Sequence, residues 1–328
     1  MNLTVLQPGV QTSVQDLGRW GHQSYGVSVG GAMDALAARL VNLLAGNPEN
    51  VALLELAQVG PDLQFEADTL AAWSGGDFPA RVRGEYVPPD RPFRIGAGEV
   101  LSFGLARDGL RAWLAVAGGL DVPLVLGSRS TWRRAGIGGH QGRPLVRGDL
   151  LRLGPITGWA AGLLRRLQAG GQRSTSWSIR PATLGKPGPP GVVRALRGPE
   201  WDWFTPRAQR LFLSSEWRVT EEADRMGARL AGPELEMKEA REMISSGVTA
   251  GVIQVPAGGH PLVLLAARQS VGGYPRLAVV ASADLGKLAQ LRPGDAVRFE
   301  EITLSAAHDL SLARERDLAR ARSALRQC

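Results

Sequence analysis

Leu145-Val146-Arg147-Gly148-Asp149-Leu150-Leu151-Arg152-Leu153 is the stretch whose reading decides the fold. Its glycine can take the positive φ that a tight turn requires, and the acid beside it suits a turn because a short carboxylate can accept a nearby backbone N–H. After the turn, Leu151 and Leu153 keep the period of two that marks a strand with one buried face. The same frame recurs upstream as Ile95-x-x-Gly98-Glu99-x-Leu101-x-Phe103 and downstream as Leu291-x-x-Gly294-Asp295-x-Val297-x-Phe299. The intervals between copies are unequal, which excludes a solenoid. A turn-and-strand unit used in both halves predicts a chain that is mainly β with some α, closing two small β-barrel domains.

The rest of the chain fits this frame. A length of 328 residues exceeds what one core usually serves, and 44% hydrophobic residues suffice for two. With 42 glycines and 21 prolines, short strands and tight turns are favoured over long helices. Ala32 to Ala45 is the clearest helix: Met33, Leu36, Ala37, Leu40, Val41 and Leu44 share one face, and Gly46-Asn47-Pro48 stops it. The reading gives an N-terminal β domain over 1–155, a linker over 156–190, a C-terminal β domain over 191–303 and a helical tail over 304–328. Lys186-Pro187-Gly188-Pro189-Pro190 reads as a stiff spacer. Asp202 to Leu213 reads as a short helix, with Trp201 and Trp203 in the core. The tail carries a weak apolar stripe of Leu310, Leu318, Ala321 and Leu325. It reads as a solvated terminus or, alternatively, as a docking element for a partner.

Composition excludes several functions. The net charge of +7 comes from arginines interleaved with acids, not from a basic face, so nucleic acid is not an expected partner. The one cysteine, Cys328, permits neither an internal disulfide nor a cysteine metal site, and the four histidines form no ligand-spaced cluster, so no metal is expected. No run approaches 18 apolar residues, and the opening residues lack the basic and apolar regions of a signal peptide. The expectation is a soluble, cytoplasmic protein with no membrane partner.

Three stretches combine glycine with hydrogen-bonding side chains. The first runs from Gln11 through Gln15, Asp16 and Arg19 to Gly31-Ala32-Met33-Asp34. The second is Gly127-Ser128-Arg129-Ser130-Thr131, continued by Arg133, Arg134 and Gly136 to Gly139. The third is Arg268-Gln269-Ser270-Val271-Gly272-Gly273-Tyr274-Pro275. None is a phosphate loop, a dinucleotide fingerprint or a nucleophile elbow, and no catalytic base can be named. What they offer is backbone N–H groups able to approach a ligand, and arginine forks for a carboxylate, phosphate or carbonyl oxygen. Gln15, Asp16 and Arg19 serve either a ligand or a turn. Arg129 with Ser130 serves either a ligand or a loop-fixing network. Asp224-Arg225 is either a surface pair or a buried clamp. The candidates for substrate or nucleotide binding are Gln15, Asp16, Arg19, Asp34, Arg129, Ser130, Arg134, Arg225, Arg268, Gln269, Gly272, Gly273 and Tyr274.

In this order the three stretches resemble the family variously called allophanate hydrolase subunit 2, the biotin-dependent carboxyltransferase family and the 5-oxoprolinase C subunit. The resemblance runs from about Leu3 to Phe299. It also draws on Ala117-Gly118-Gly119, Asp224-Arg225-Met226-Gly227, Ser246-Gly247-Val248 and Gln254-Val255-Pro256. Ala267, Ser270-Val271 and Trp20 depart from the family pattern, which usually has Asp, Thr-Thr and Pro there. The resemblance implies two cyclophilin-like β domains. It implies, first, ATP-dependent opening of 5-oxoproline to glutamate, with partners like the B and A subunits of 5-oxoprolinase, a small lactam or amide substrate, and ATP with or without magnesium. A lactam amide is resonance-stabilised, and phosphorylating its oxygen would make it electrophilic. The alternatives are carboxyl transfer to urea or a related amide, which would bring in biotin, and a non-catalytic module that antagonises a kinase inhibitor.

Overall fold

The computed structural model describes residues 1–156, 158–181, 184 and 191–325; the Lys186–Pro190 spacer and Cys328 lie outside the described residues. The three repeated segments close alike. Gly98, Gly148 and Gly294 take φ of 77°, 88° and 90°. The following acid folds back on the N–H three residues earlier: Glu99 accepts from Gly96 at 2.7 Å, Asp149 from Val146 at 2.8 Å and Asp295 from Arg292 at 2.8 Å. The glycine N–H then donates to one buried residue of a facing strand, and the acid's carbonyl accepts from it: Phe65, Val5 and Val219 in turn. Each turn thereby sets the register of the strand it starts.

The chain divides into two compact units. The first comprises Met1–Arg19, Gly30–Leu184 and Asp317–Cys328, and the second Trp20–Val29 and Gly185–Arg316. The strands of the first are β1 (Asn2–Gln7), β2 (Gln11–Gln15), β3 (Leu53–Ala57), β4 (Asp62–Phe65), β5 (Thr69–Asp77), β6 (Arg81–Val82), β7 (Glu85–Tyr86), β8 (Pro92–Ile95), β9 (Val100–Ser102), β10 (Asp108–Val116) and β11 (Leu150–Arg152). They form two sheets, β11-β1-β4-β9-β6-β7 and β2-β3-β10-β5-β8. Alternate residues of both sheets fill one core, in which Trp73 meets Phe103 edge-on at 5.6 Å.

Helix α1 (Ala35–Leu44) packs on β5 and β10. It starts later than the apolar spacing suggested. The N–H of Ala32 is held by the Asp16 carbonyl and that of Met33 by the buried Glu55 carboxylate, so those residues belong to the preceding loop. Asp34 is the N-cap, accepting from the N–H groups of Leu36 and Ala37. The stretch read as a linker is partly folded. Helix α2 (Gly158–Ala169) buries Ala160, Leu163 and Leu167 against Leu70 and Ala117.

In the second unit, β12 (Val192–Arg197), β13 (Trp217–Val219), β14 (Gly227–Ala231), β15 (Ser246–Gly247), β16 (Val252–Gln254), β17 (Leu262–Leu264), β18 (Val271–Gly272), β19 (Arg276–Val280) and β20 (Ala296–Glu301) follow in sequence. Seven of them close a barrel in the order β12-β19-β16-β17-β14-β13-β20, and β15 pairs with β18 as a separate two-stranded ribbon. The chain is thus mainly β, as its turn-and-strand repeats indicate. The helix expected over 202–213 is a 3-10 turn at Trp201–Trp203 followed by α3 (Pro206–Ser214), capped by Thr205. The break lies at Phe204-Thr205, both extended, with Pro206 starting the helix. Trp201 is buried, whereas Trp203 is only half-buried beneath the Arg241 guanidinium. After α4 (Leu285–Ala289) and β20, α5 (Leu304–Leu325) ends the described chain. The tail is not a frayed terminus: Leu310, Leu318, Ala321 and Leu325 are buried, and Arg322 pairs with Glu49. No helix among the described residues is long and apolar enough to cross a membrane.

Candidate functional site

Asp16 is the hub of the first unit. Its Oδ1 accepts from the Gly18 N–H at 2.8 Å, from the Ser128 hydroxyl at 2.7 Å and from the Ser130 hydroxyl at 2.5 Å. Its Oδ2 accepts from the Arg129 N–H at 2.5 Å. Arg19 is fully buried beside this hub, donating to the carbonyls of Val125 at 2.8 Å and Ser130 at 2.9 Å. Burial pulls the Arg19 guanidinium below its usual range, and the Asp16 charge partly restores it. Arg129 ties its side chain to the Val122 carbonyl. Gln15 donates to Ser13 and leaves its Oε1 without a partner.

These bonds give Asp16, Arg19 and Ser130 a loop-fixing role. Several of the N–H groups expected to meet a ligand are taken internally, whereas those of Gly127 and Gly138 carry no bond to the described residues and Arg19 Nη1 is buried with no partner among them. Ser128 N–H goes to Val125, Ser130 N–H to the Ser128 hydroxyl, Thr131 N–H to Val14 and Gly139 N–H to Arg129. Asp16, Arg19 and Ser130 fix a loop, and Asp34 is a helix cap. Arg134 lies exposed on the Trp132–Ile137 turn, apart from the hub's bonding network.

The third stretch differs. Arg268, 5% exposed, donates to the carbonyls of Val248 at 3.3 Å and Leu265 at 3.5 Å, both long. Its own carbonyl accepts from the Ser28 hydroxyl at 2.8 Å. Burial alone lowers its pKa, and among the described residues no carboxylate pairs with it. Nearby, the Arg225 carbonyl receives the Ala267 N–H, and burial pushes its guanidinium down to about 10. The N–H groups of Gly273 and Tyr274 carry no bond to the described residues. Gln269 is half-buried, and Tyr274 is 49% exposed. A cation that has lost its water without gaining an acid among the described residues, on the same stretch as N–H groups that make no bond to them, suits an anionic or carbonyl ligand.

Two residues absent from the sequence-based candidates stand out here. Gln254, on β16, is fully buried with an unpartnered Oε1, and the hydroxyl of Ser246 is also buried and unpartnered. The signal for Gln254 was its place within the apolar run Val252-Ile253-Gln254-Val255. A groove of about 250 Å³ against α3, lined by Thr205, Arg207, Leu211 and Glu234, involves none of the candidates. No cluster of His, Cys, Asp and Glu among the described residues could hold a metal ion.

Residues 25–301 match the model of the carboxyltransferase domain, subdomain A and B, so the chain belongs to that family. It is 37% identical over 305 residues to the 5-oxoprolinase C subunit of Escherichia coli K12, covering 93% of each chain. It is 36% identical over 308 residues to the 5-oxoprolinase C subunit of Haemophilus influenzae, covering 94% of each. The solved urea amidolyase of K. lactis superposes with a TM-score of 0.85 at 29% identity over 98% of this chain, which spans 20% of that protein.

Proposed function

We propose that the chain is the C-type subunit of an ATP-dependent 5-oxoprolinase, opening the lactam of 5-oxoproline to glutamate with B-like and A-like partner subunits. Arg268 carries the reading. Among the described residues it is a buried guanidinium without an acid, on a loop whose Gly273 and Tyr274 N–H groups make no bond, and it suits the substrate's carboxylate. The two 5-oxoprolinase relatives, matched over nearly their whole length, support the same reaction. Activation of the lactam oxygen by ATP is assigned to the assembled complex. Carboxyl transfer to urea is the second reading, motivated by the family model and the K. lactis structure. It would require biotin and the pieces of that larger protein this chain does not span. The test is ATP cleavage coupled to glutamate release from 5-oxoproline, with the three subunits co-expressed. An assembled complex without turnover would overturn the reading.

A further inference from the structure

Gln254 ends β16 with its side chain fully buried. The orientation of its carboxamide is fixed. The NH2 group donates to the Tyr274 carbonyl at 3.2 Å, and the flipped amide would set oxygen against oxygen. Oε1 is therefore left buried, with no partner among the described residues. Gly272 lies directly against this amide: a Cβ there would sit 2.6 Å from Nε2 and 3.2 Å from Oε1. Opposite Gly272 in the β15–β18 ribbon is Ser246, whose buried hydroxyl also lacks a partner. An acceptor and a hydroxyl thus flank one glycine, both desolvated and both unpaired, an arrangement that costs free energy unless something fills it.

We propose that Gln254 Oε1 and the Ser246 hydroxyl read the amide of the substrate, Oε1 accepting its N–H and the hydroxyl donating to its C=O. The inference rests on the 5-oxoprolinase reading and deepens it by separating the two ends of the substrate. Arg268 takes the carboxylate, and Gln254 with Ser246 takes the lactam. A five-membered lactam holds its N–H and C=O cis, so donor and acceptor lie along one edge, matching an acceptor and a hydroxyl side by side. A lactone of the same shape puts a ring oxygen where the N–H would be, against Oε1. A site built to accept an N–H rejects the analogue that lacks it, because its own buried acceptor stays unpaired. Among the described residues the ribbon has two residues per strand and no third strand, so it is the wall most able to yield to a ligand.

The experiment is a calorimetric titration of the full chain, alone and assembled with its partner subunits. The ligands are 5-oxoproline and the corresponding lactone carboxylate. The proteins are wild type, Gln254→Met, Ser246→Ala and Gly272→Ala. Wild type should bind the lactam at least about tenfold more tightly than the lactone. Gln254→Met should erase that preference, and Gly272→Ala should weaken the lactam by crowding the amide. Melting curves check the fold, and Ser246→Ala, on the ribbon, provides a variant that leaves the barrel intact. Equal binding of lactam and lactone by wild type, no binding of either, or a preference that survives both Gln254→Met and Ser246→Ala would overturn the pair. Turnover by the wild-type assembly with the preference unchanged in the variants removes this pair and leaves the proposed function standing. Selective binding lost in the variants, without turnover by any assembly, removes the function and keeps the pair.

Discussion

Asp16 and Ser130 bind each other twice across 114 residues of chain: the Asp16 N–H donates to the Ser130 hydroxyl, and that hydroxyl donates to Asp16 Oδ1. Ser130 is fully buried, so the alanine variant strands the Asp16 N–H and removes one of the three donors to Asp16 Oδ1. Ser130→Ala should cost about 1–3 kcal/mol of stability. Asp16→Asn should cost more, because it also removes the charge facing the buried Arg19. Urea denaturation of both variants measures this. Stability within about 0.5 kcal/mol of wild type for both would show that the hub does not hold the loop.

The turn glycines separate strain from collision. Gly148 has φ of 88° and open space where a Cβ would go. Gly118 has φ of 87°, but its Cβ would meet the Gly154 carbonyl oxygen at 2.2 Å. Gly148→Ala should therefore cost only backbone strain, about 1–2 kcal/mol. Gly118→Ala should cost clearly more, since the nearest obstacle is backbone. Thermal melts of the two variants rank them, and equal losses would contradict the assignment.

The turn-and-strand repeat was legible because its cause is local: one glycine, one carboxylate and a period of two are visible within nine residues. The capping role of Asp34 was not separable from a ligand role for the same local reason, since an acid before an apolar run serves both. The partly folded linker was hidden because α2 is stabilised by Leu70 and Ala117, which lie far away in the chain. The hub was half legible. Arg129 and Ser130 could be named, but only the fold shows that their N–H groups are spent on Asp16 and Ser128. Gln254 and Ser246 were visible within the motifs Gln254-Val255-Pro256 and Ser246-Gly247-Val248 but were not named as ligand groups, because only burial and an unpaired atom single them out.

Acid should destabilise the protein through two carboxylates held by arginine forks. Arg143 grips Asp149 at 2.7 and 2.8 Å, and Arg276 grips Glu200 at 2.7 and 2.8 Å. In each case hydrogen bonds from the arginine outweigh burial and hold the carboxyl below its usual range. Unfolded, the two groups titrate near about 3.9 and 4.3. Their folded pKa values are lower, so the unfolded chain binds more protons as pH falls. The stability they contribute is intact above about pH 5 and is lost as pH drops through the folded values. Asp149→Asn and Glu200→Gln should be less stable than wild type at pH 7, with the gap narrowing toward pH 2 to 3. Urea midpoints across that range are the measurement, and a gap independent of pH would refute the assignment.

Arg268 and Arg19 are both buried arginines, and their replacement should separate their roles. Arg19 bonds the Val125 and Ser130 carbonyls at 2.8 and 2.9 Å beside the Asp16 carboxylate, so Arg19→Met should destabilise the fold. Arg268 makes only bonds of 3.3 and 3.5 Å and has no acid partner among the described residues. Arg268→Met removes a desolvated charge without stranding an opposite one, so its melting temperature should stay within a few degrees of wild type. A charge-assisted bond to a carboxylate is worth about 1.5–3 kcal/mol, so the KM for 5-oxoproline in the assembled enzyme should rise roughly 10- to 150-fold. Arg268→Lys keeps the charge but not the fork, and should recover part of that loss. An unchanged KM in Arg268→Met, with the fold intact, would place Arg268 among the scaffold residues with Arg19 and leave the substrate carboxylate to another group.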